Sequence, residues 1–179
     1  MENNKEFLMD KEHKLLFGVR RSIRYHMRRC RLFDAIHSFT SFVGVFAGSG
    51  AAVTFLYGHH LMAVTAALVV AFTSSIDLVV GTGPRARLHN ELAKRFVQLE
   101  KDMVLSERSL SEETLECFTA RRLEIEADEP PILRTLDLLC HNELSRAMGL
   151  DKEKGGYIEI PALHRFLADF ISFGDPVKV

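Results

Sequence analysis

The sequence predicts an all-α protein, a two-pass transmembrane helical hairpin carrying a cytoplasmic helical bundle. Three observations lead there. Lys and Arg vanish between Arg31 and Arg85 although they are frequent on either side. Two apolar blocks fill that gap, parted by the polar turn "YGHH". Beyond it, apolar residues recur at steps of three and four, the period of a helix with one buried face. The averages, net charge −1 and 26% charged residues, hide this segregation.

The boundaries follow from the charge pattern: a basic amphipathic helix over 1–31, the hairpin over 32–83, and a cytoplasmic helical region over 84–179. In the first segment Leu15, Leu16, Val19, Ile23 and Met27 fall at helical intervals. Among them stand Arg20, Arg21, Arg24, Arg28, Arg29 and Arg31, a basic face suited to anionic lipid headgroups. A nucleic acid is the rival partner for such a run, but its place directly before an apolar block favours lipid, so no nucleic acid is expected. The N-terminal "MENNKEFLMDKEHKLLF" is too charged for a signal peptide.

The spans are expected at about 37–57 and 61–80. A helix rises about 1.5 Å per residue, so roughly 20 residues cross the ~30 Å hydrocarbon layer. A soluble core helix shows a polar stripe, and neither block has one. Gly44, Gly48 and Ala52 are spaced by four in the first block; Ala63, Ala67, Ala71 and Ser75 repeat likewise in the second. Small residues at that spacing let helices approach closely in lipid, so these seven are the expected packing positions and point to a homo-oligomer. Arginines flank the blocks on one side only, Arg31 and its neighbours before, Arg85 and Arg87 after, which places both termini inside and the turn outside.

Asp77 fits the second block least well, since a central Asp costs about 2.5–3.5 kcal/mol on insertion scales. It and Asp34, at the matching depth of the first block, have two readings. One is a ring of carboxylates at the mouth of a cation-preferring pore. The other is an interfacial acid paired with an arginine such as Arg85 or Arg31.

After the hairpin, Gly81-Thr82-Gly83-Pro84 breaks or bends the second helix, and Pro84 suits the first turn of a new one. Leu88, Leu92, Phe96, Leu99 and Met103 give that helix an apolar seam. The next helix is expected to start from Ser109 with Glu112 three residues on, a capping signature, and to bury Leu115, Phe118, Leu123 and Ile125. Pro130-Pro131 ends it. A further helix groups Ile132, Leu133, Leu136, Leu139, Cys140, Leu144 and Met148 and stops at Gly149. "GYIEI" reads as extended chain, and Pro161 opens a last short helix in which Phe166, Leu167, Phe170 and Ile171 dock.

Catalytic motifs are missing: there is no Walker loop, nucleophile elbow, HExxH or dinucleotide fingerprint. Cys30, Cys117 and Cys140 are scattered and odd in number, which fits reduced thiols rather than a disulfide framework or a zinc site. In "CHNE" at 140–143 successive helical residues point apart and cannot close one metal site. No enzyme activity, metal or cofactor is expected.

The order of helix, two spans and further helices resembles the SLATT family, the SMODS- and SLOG-associating two-transmembrane effector domains. The resemblance covers most of the chain. It is carried by "RARLHNELAKRFVQLEKDM" after the second block and by "RRLEIEADEPPILRTLDLLCHNELSRAMG", which is similar to a segment of stand-alone bacterial and phage members. It implies an oligomeric effector that perforates or depolarises the bacterial inner membrane in bacterial or phage conflict, without catalytic residues. A non-conducting adaptor that shows its cytoplasmic helices to a protein partner is the alternative.

Overall fold

The computed structural model describes residues 2–49, 60–106, 111–150 and 156–170, and every regular element among them is a helix. In chain order these are α1 (Glu2–Gly48), α2 (His60–Val80), α3 (Thr82–Ser106), α4 (Glu112–Ala127), α5 (Arg134–Ala147) and α6 (Ala162–Leu167). The chain divides into two compact units. One comprises Met1–Arg28 and His89–Val179, the other Arg29–Leu88. No break falls at residue 31: "RRCRLFDAIH" holds neither Gly nor Pro, and α1 runs through it as one helix.

The first unit is a helical bundle. From α1 come Leu15, Val19 and Ile23, from α3 Leu92, Phe96, Leu99 and Met103, and from α4 Leu115, Phe118 and Ile125, all within one buried cluster. The four- and three-residue steps place each set on one face, so three stripes close on a common core. A second cluster joins Tyr25 of α1 to Leu136 and Cys140 of α5 and Ala168, just beyond α6. Charged pairs tie the rim: Arg20 to Glu100 at 2.7 Å, Arg121 to Asp102 at 2.8 Å, Arg95 to Asp128 at 2.6 Å. Each such exposed pair adds about 0–1 kcal/mol, so the core supplies most of the stability.

Several sequence expectations are corrected here. The N-cap of α4 is Ser111, whose hydroxyl accepts from the Thr114 amide at 3.1 Å; Ser109 lies outside the described residues. Leu123 is 59% exposed, because α4 spends its single stripe on Leu115, Phe118 and Ile125. Ile132 precedes α5 and stays exposed, as do Met27 and Leu88. Phe166 and Phe170 face outward, and the side chain that docks after α6 is Ala168. Gly149 ends α5 as expected, at φ +72°, a left-handed conformation that L side chains rarely adopt. "GYIEI" pairs with no strand among the described residues. Instead the Asn142 amide donates to the Ile158 carbonyl at 2.7 Å and accepts from the Ile158 N–H at 2.9 Å, standing in for a partner strand.

In the second unit α2 stops at Gly81, whose φ of +64° is open to glycine at little cost. The Gly81 N–H still reaches the Asp77 carbonyl at 2.8 Å, and the Gly81 carbonyl accepts from Arg85 at 3.1 Å, so one residue closes α2 and opens α3. Pro84 sits in the first turn of α3, where its missing N–H leaves no bond unmade.

Candidate functional site

One helical run within Val64–Ser106 is long and apolar enough to cross a membrane; its 18-residue window has a mean hydropathy of 1.9, and none of it is buried. Exposure on α2 extends around the helix: Leu61, Val64, Leu68, Val69, Phe72, Leu78 and Val79 are all 55% exposed or more. Among the residues of α2 whose burial is described, Ala66, Val70, Thr73, Asp77 and Val80 form a half-buried line. On α1, Phe39, Phe42, Val45 and Phe46 are equally open to the outside, whereas Phe33 and Thr40 are buried. The expected first span at 37–57 is described only to residue 49, a stretch shorter than a bilayer is thick at about 1.5 Å per residue.

The small-residue positions divide. Ala67, Ala71 and Ser75 are exposed, on a different side of α2 from the half-buried line. Gly44 is half-buried, and a Cβ placed on it meets nothing within 4 Å, so no contact among the described residues demands glycine there. Ala52 lies outside the described residues, as do the side-chain surroundings of Gly48 and Ala63.

Asp77 is paired, though not with Arg85 or Arg31. Its carboxylate accepts from the Thr82 hydroxyl and lies 3.2 Å from Nδ1 of His37. Gly81 makes this possible, because the turn there brings Thr82, which is fully buried, back over the acid. The result is a polar tie between α1 and α2. Asp34 is exposed and accepts from the Cys30 thiol at 3.4 Å. Burial and that carboxylate together raise the Cys30 pKa.

The eight arginines fall into groups. Arg20 pairs with Glu100, Arg21 with Asp137 at 3.1 Å, and Arg28 grips Asp169 through two nitrogens at 3.2 and 3.1 Å while also reaching Glu143. Their acids come from distant parts of the chain, so no local pattern announces them. Arg29 lies over the Phe33 ring at 4.5 Å and Arg85 over the same ring at 5.9 Å. Arg24, Arg31, Arg85 and Arg87 are exposed and have no carboxylate partner among the described residues. Of these, Arg31, Arg85 and Arg87 flank the apolar stretches.

One polar cluster escaped the sequence reading. In the bundle unit, His26 on α1 meets His89 on α3 with the two Nδ1 atoms 2.9 Å apart, and its Nε2 lies 3.0 Å from Glu129. His26 and His89 are 1% and 3% exposed. A signal existed: His26 follows the core Val19 by one heptad and His89 precedes the core Phe96 by one, so each falls on a buried stripe. No group of His, Cys, Asp and Glu able to hold a metal occurs among the described residues. Compared with known proteins, the chain matches no family model, no curated protein and no solved structure.

Proposed function

We propose that the chain is a two-pass protein of the bacterial inner membrane, both termini cytoplasmic, that assembles with copies of itself and perforates or depolarises the bilayer, as its resemblance to SLATT effectors implies. The observation that carries this reading is the exposure of α2. A large apolar side chain left in water forgoes about 1.5–3 kcal/mol of burial, and α2 leaves such chains open from Leu61 to Val79. Lipid is the solvent that removes the penalty. Patches of this extent on a soluble chain are rare and mark surfaces meant to be covered. Arg31, Arg85 and Arg87, which have no carboxylate partner among the described residues, supply the cytoplasmic collar.

The ladder of Ala67, Ala71 and Ser75 faces outward, free for a neighbouring copy. Asp77, already engaged by His37 and Thr82, serves as a tie between helices rather than as an ion filter. Expression of the wild type in bacteria is expected to admit an impermeant dye and slow growth. Ala71→Leu is expected to insert equally well and do neither. Harmless expression without dye entry, at matched membrane levels, would refute perforation. Unchanged ion selectivity in Asp77→Asn is the expected result in planar bilayers.

The adaptor reading rests on a cleft of about 520 Å³ lined by Lys11, Leu15, Leu115, Glu116, Ala120 and Leu123, apolar at its base and charged at its edge. Co-purification of a stoichiometric protein partner that Leu123→Glu releases would favour it.

A further inference from the structure

Residues 161–170 pack the wrong way round for a chain surrounded by water. Ala168 is fully buried beside Tyr25, Leu136 and Cys140, while Leu163, Phe166 and Phe170 are all 65% exposed or more. A helix in water turns its bulky apolar face to the core and its small or polar residues outward. Here the orientation is held from within the bundle. Both carboxylate oxygens of Asp169 accept from Arg28, at 3.2 and 3.1 Å, and such a fork allows little rotation. Turning Phe166 inward would pull Asp169 off Arg28, so the apolar side is fixed outward. The stripe is also continuous. Leu163 and Phe166 share a face of α6, and the Phe170 N–H bonds the Leu167 carbonyl at 3.0 Å, which carries the turn on to a third large side chain.

We propose that Leu163, Phe166 and Phe170 dock on the cytoplasmic leaflet of the bilayer, making α6 an interfacial anchor as well as part of the bundle. The anchor rests on the membrane reading of α2. Two observations favour lipid over protein as its cover. Arg28, which grips the α6 segment, stands three residues before Arg31 on the unbroken helix α1, about one turn from the first cation of the proposed collar. The second observation is charge. Arg165 is exposed on α6, and Arg24 is exposed one turn before Arg28 on α1; neither has a carboxylate partner among the described residues. The acids at hand are spent on Arg28: Asp169 through its fork and Glu143 at 3.1 Å. Large apolar side chains edged by arginine suit an anionic lipid surface. The rings sink to the outermost acyl carbons, and the guanidinium stays with the phosphates.

The chain has no Trp, so a single introduced indole reports its own surroundings. The full chain is reconstituted in vesicles of phosphatidylcholine and phosphatidylglycerol. Their acyl chains carry bromine, a contact quencher of indole, either near the headgroup or near the chain end. Phe72→Trp, near the middle of α2, should lose most fluorescence to the deep bromines. Phe166→Trp should lose most to the shallow ones, because an interfacial helix sinks its apolar face about 5–10 Å into the headgroup boundary. Leu123→Trp, exposed on α4, should lose little to either. If Phe72→Trp is quenched but Phe166→Trp gives the same signal as Leu123→Trp, the anchor is overturned and the membrane reading stands. Phe166→Trp shielded from aqueous acrylamide yet untouched by bromine would assign the stripe to a protein and also overturn the anchor. An unquenched Phe72→Trp would sink the membrane reading, and the anchor with it.

Discussion

In the unit built from Met1–Arg28 and His89–Val179, Leu92, Phe96 and Leu136 are shut away from the surroundings and charged pairs line the rim. In the Arg29–Leu88 unit, Phe42, Leu68, Phe72 and Leu78 stand outside, while Thr40, Thr82 and much of Asp77 are turned inward. The same physics gives both patterns once each unit has its own solvent. Water drives apolar atoms together in the first. In the second, on the proposed membrane reading, hydrocarbon would offer polar atoms no partner, and Asp77, His37 and Thr82 satisfy one another instead.

The contrast is sharpest in paired truncations. Phe96→Ala removes a fully buried ring that touches both the apolar core and His26, and should cost about 3–5 kcal/mol in denaturant melts of the bundle. Phe72→Ala takes away a ring that is 68% exposed, and its cost should stay within about 0.5 kcal/mol. Equal losses would mean that α2 is an interior helix and would erase the distinction between the units.

The cysteines probe the same difference by chemistry. Burial pushes the Cys140 pKa up to about 12, with the charge of Glu143 adding to it, so the thiol is both hidden and protonated at neutral pH. Cys117 is exposed. Iodoacetamide should modify Cys117 at least about a hundredfold faster than Cys140, read by mass spectrometry of the native protein. A smaller effect comes from the α4 cap: Ser111→Ala should lower bundle stability by about 1 kcal/mol, while Ser109→Ala should do little.

Much of the bundle was legible in the sequence because period and punctuation are local. The seam of Leu92, Phe96, Leu99 and Met103 and the stop at Gly149 read directly from spacing and residue type. The α4 cap did not: "SLSEET" offers two serines, and only the helix register decides between them. Leu123 and Phe166 read as inward-facing by hydrophobicity, yet α4 fills its one stripe with Leu115, Phe118 and Ile125, and α6 buries none of its residues. Pairing at long range was invisible throughout. Nothing near Arg28 foretells Asp169, and Asp77 found His37 and Thr82 through a glycine turn rather than the arginines close to it in sequence. His26 and His89 carried a readable heptad signal, but their meeting depends on how α1 and α3 pack.

The need for lipid is the claim from which the rest of the functional account follows, and the state of the purified full chain in solution tests it most directly. Sedimentation with and without detergent should find a defined species only when amphiphile is present, and heterogeneous aggregate once it is removed. A single monodisperse species in plain buffer would contradict the account, leaving α2 as a helix that a protein surface covers.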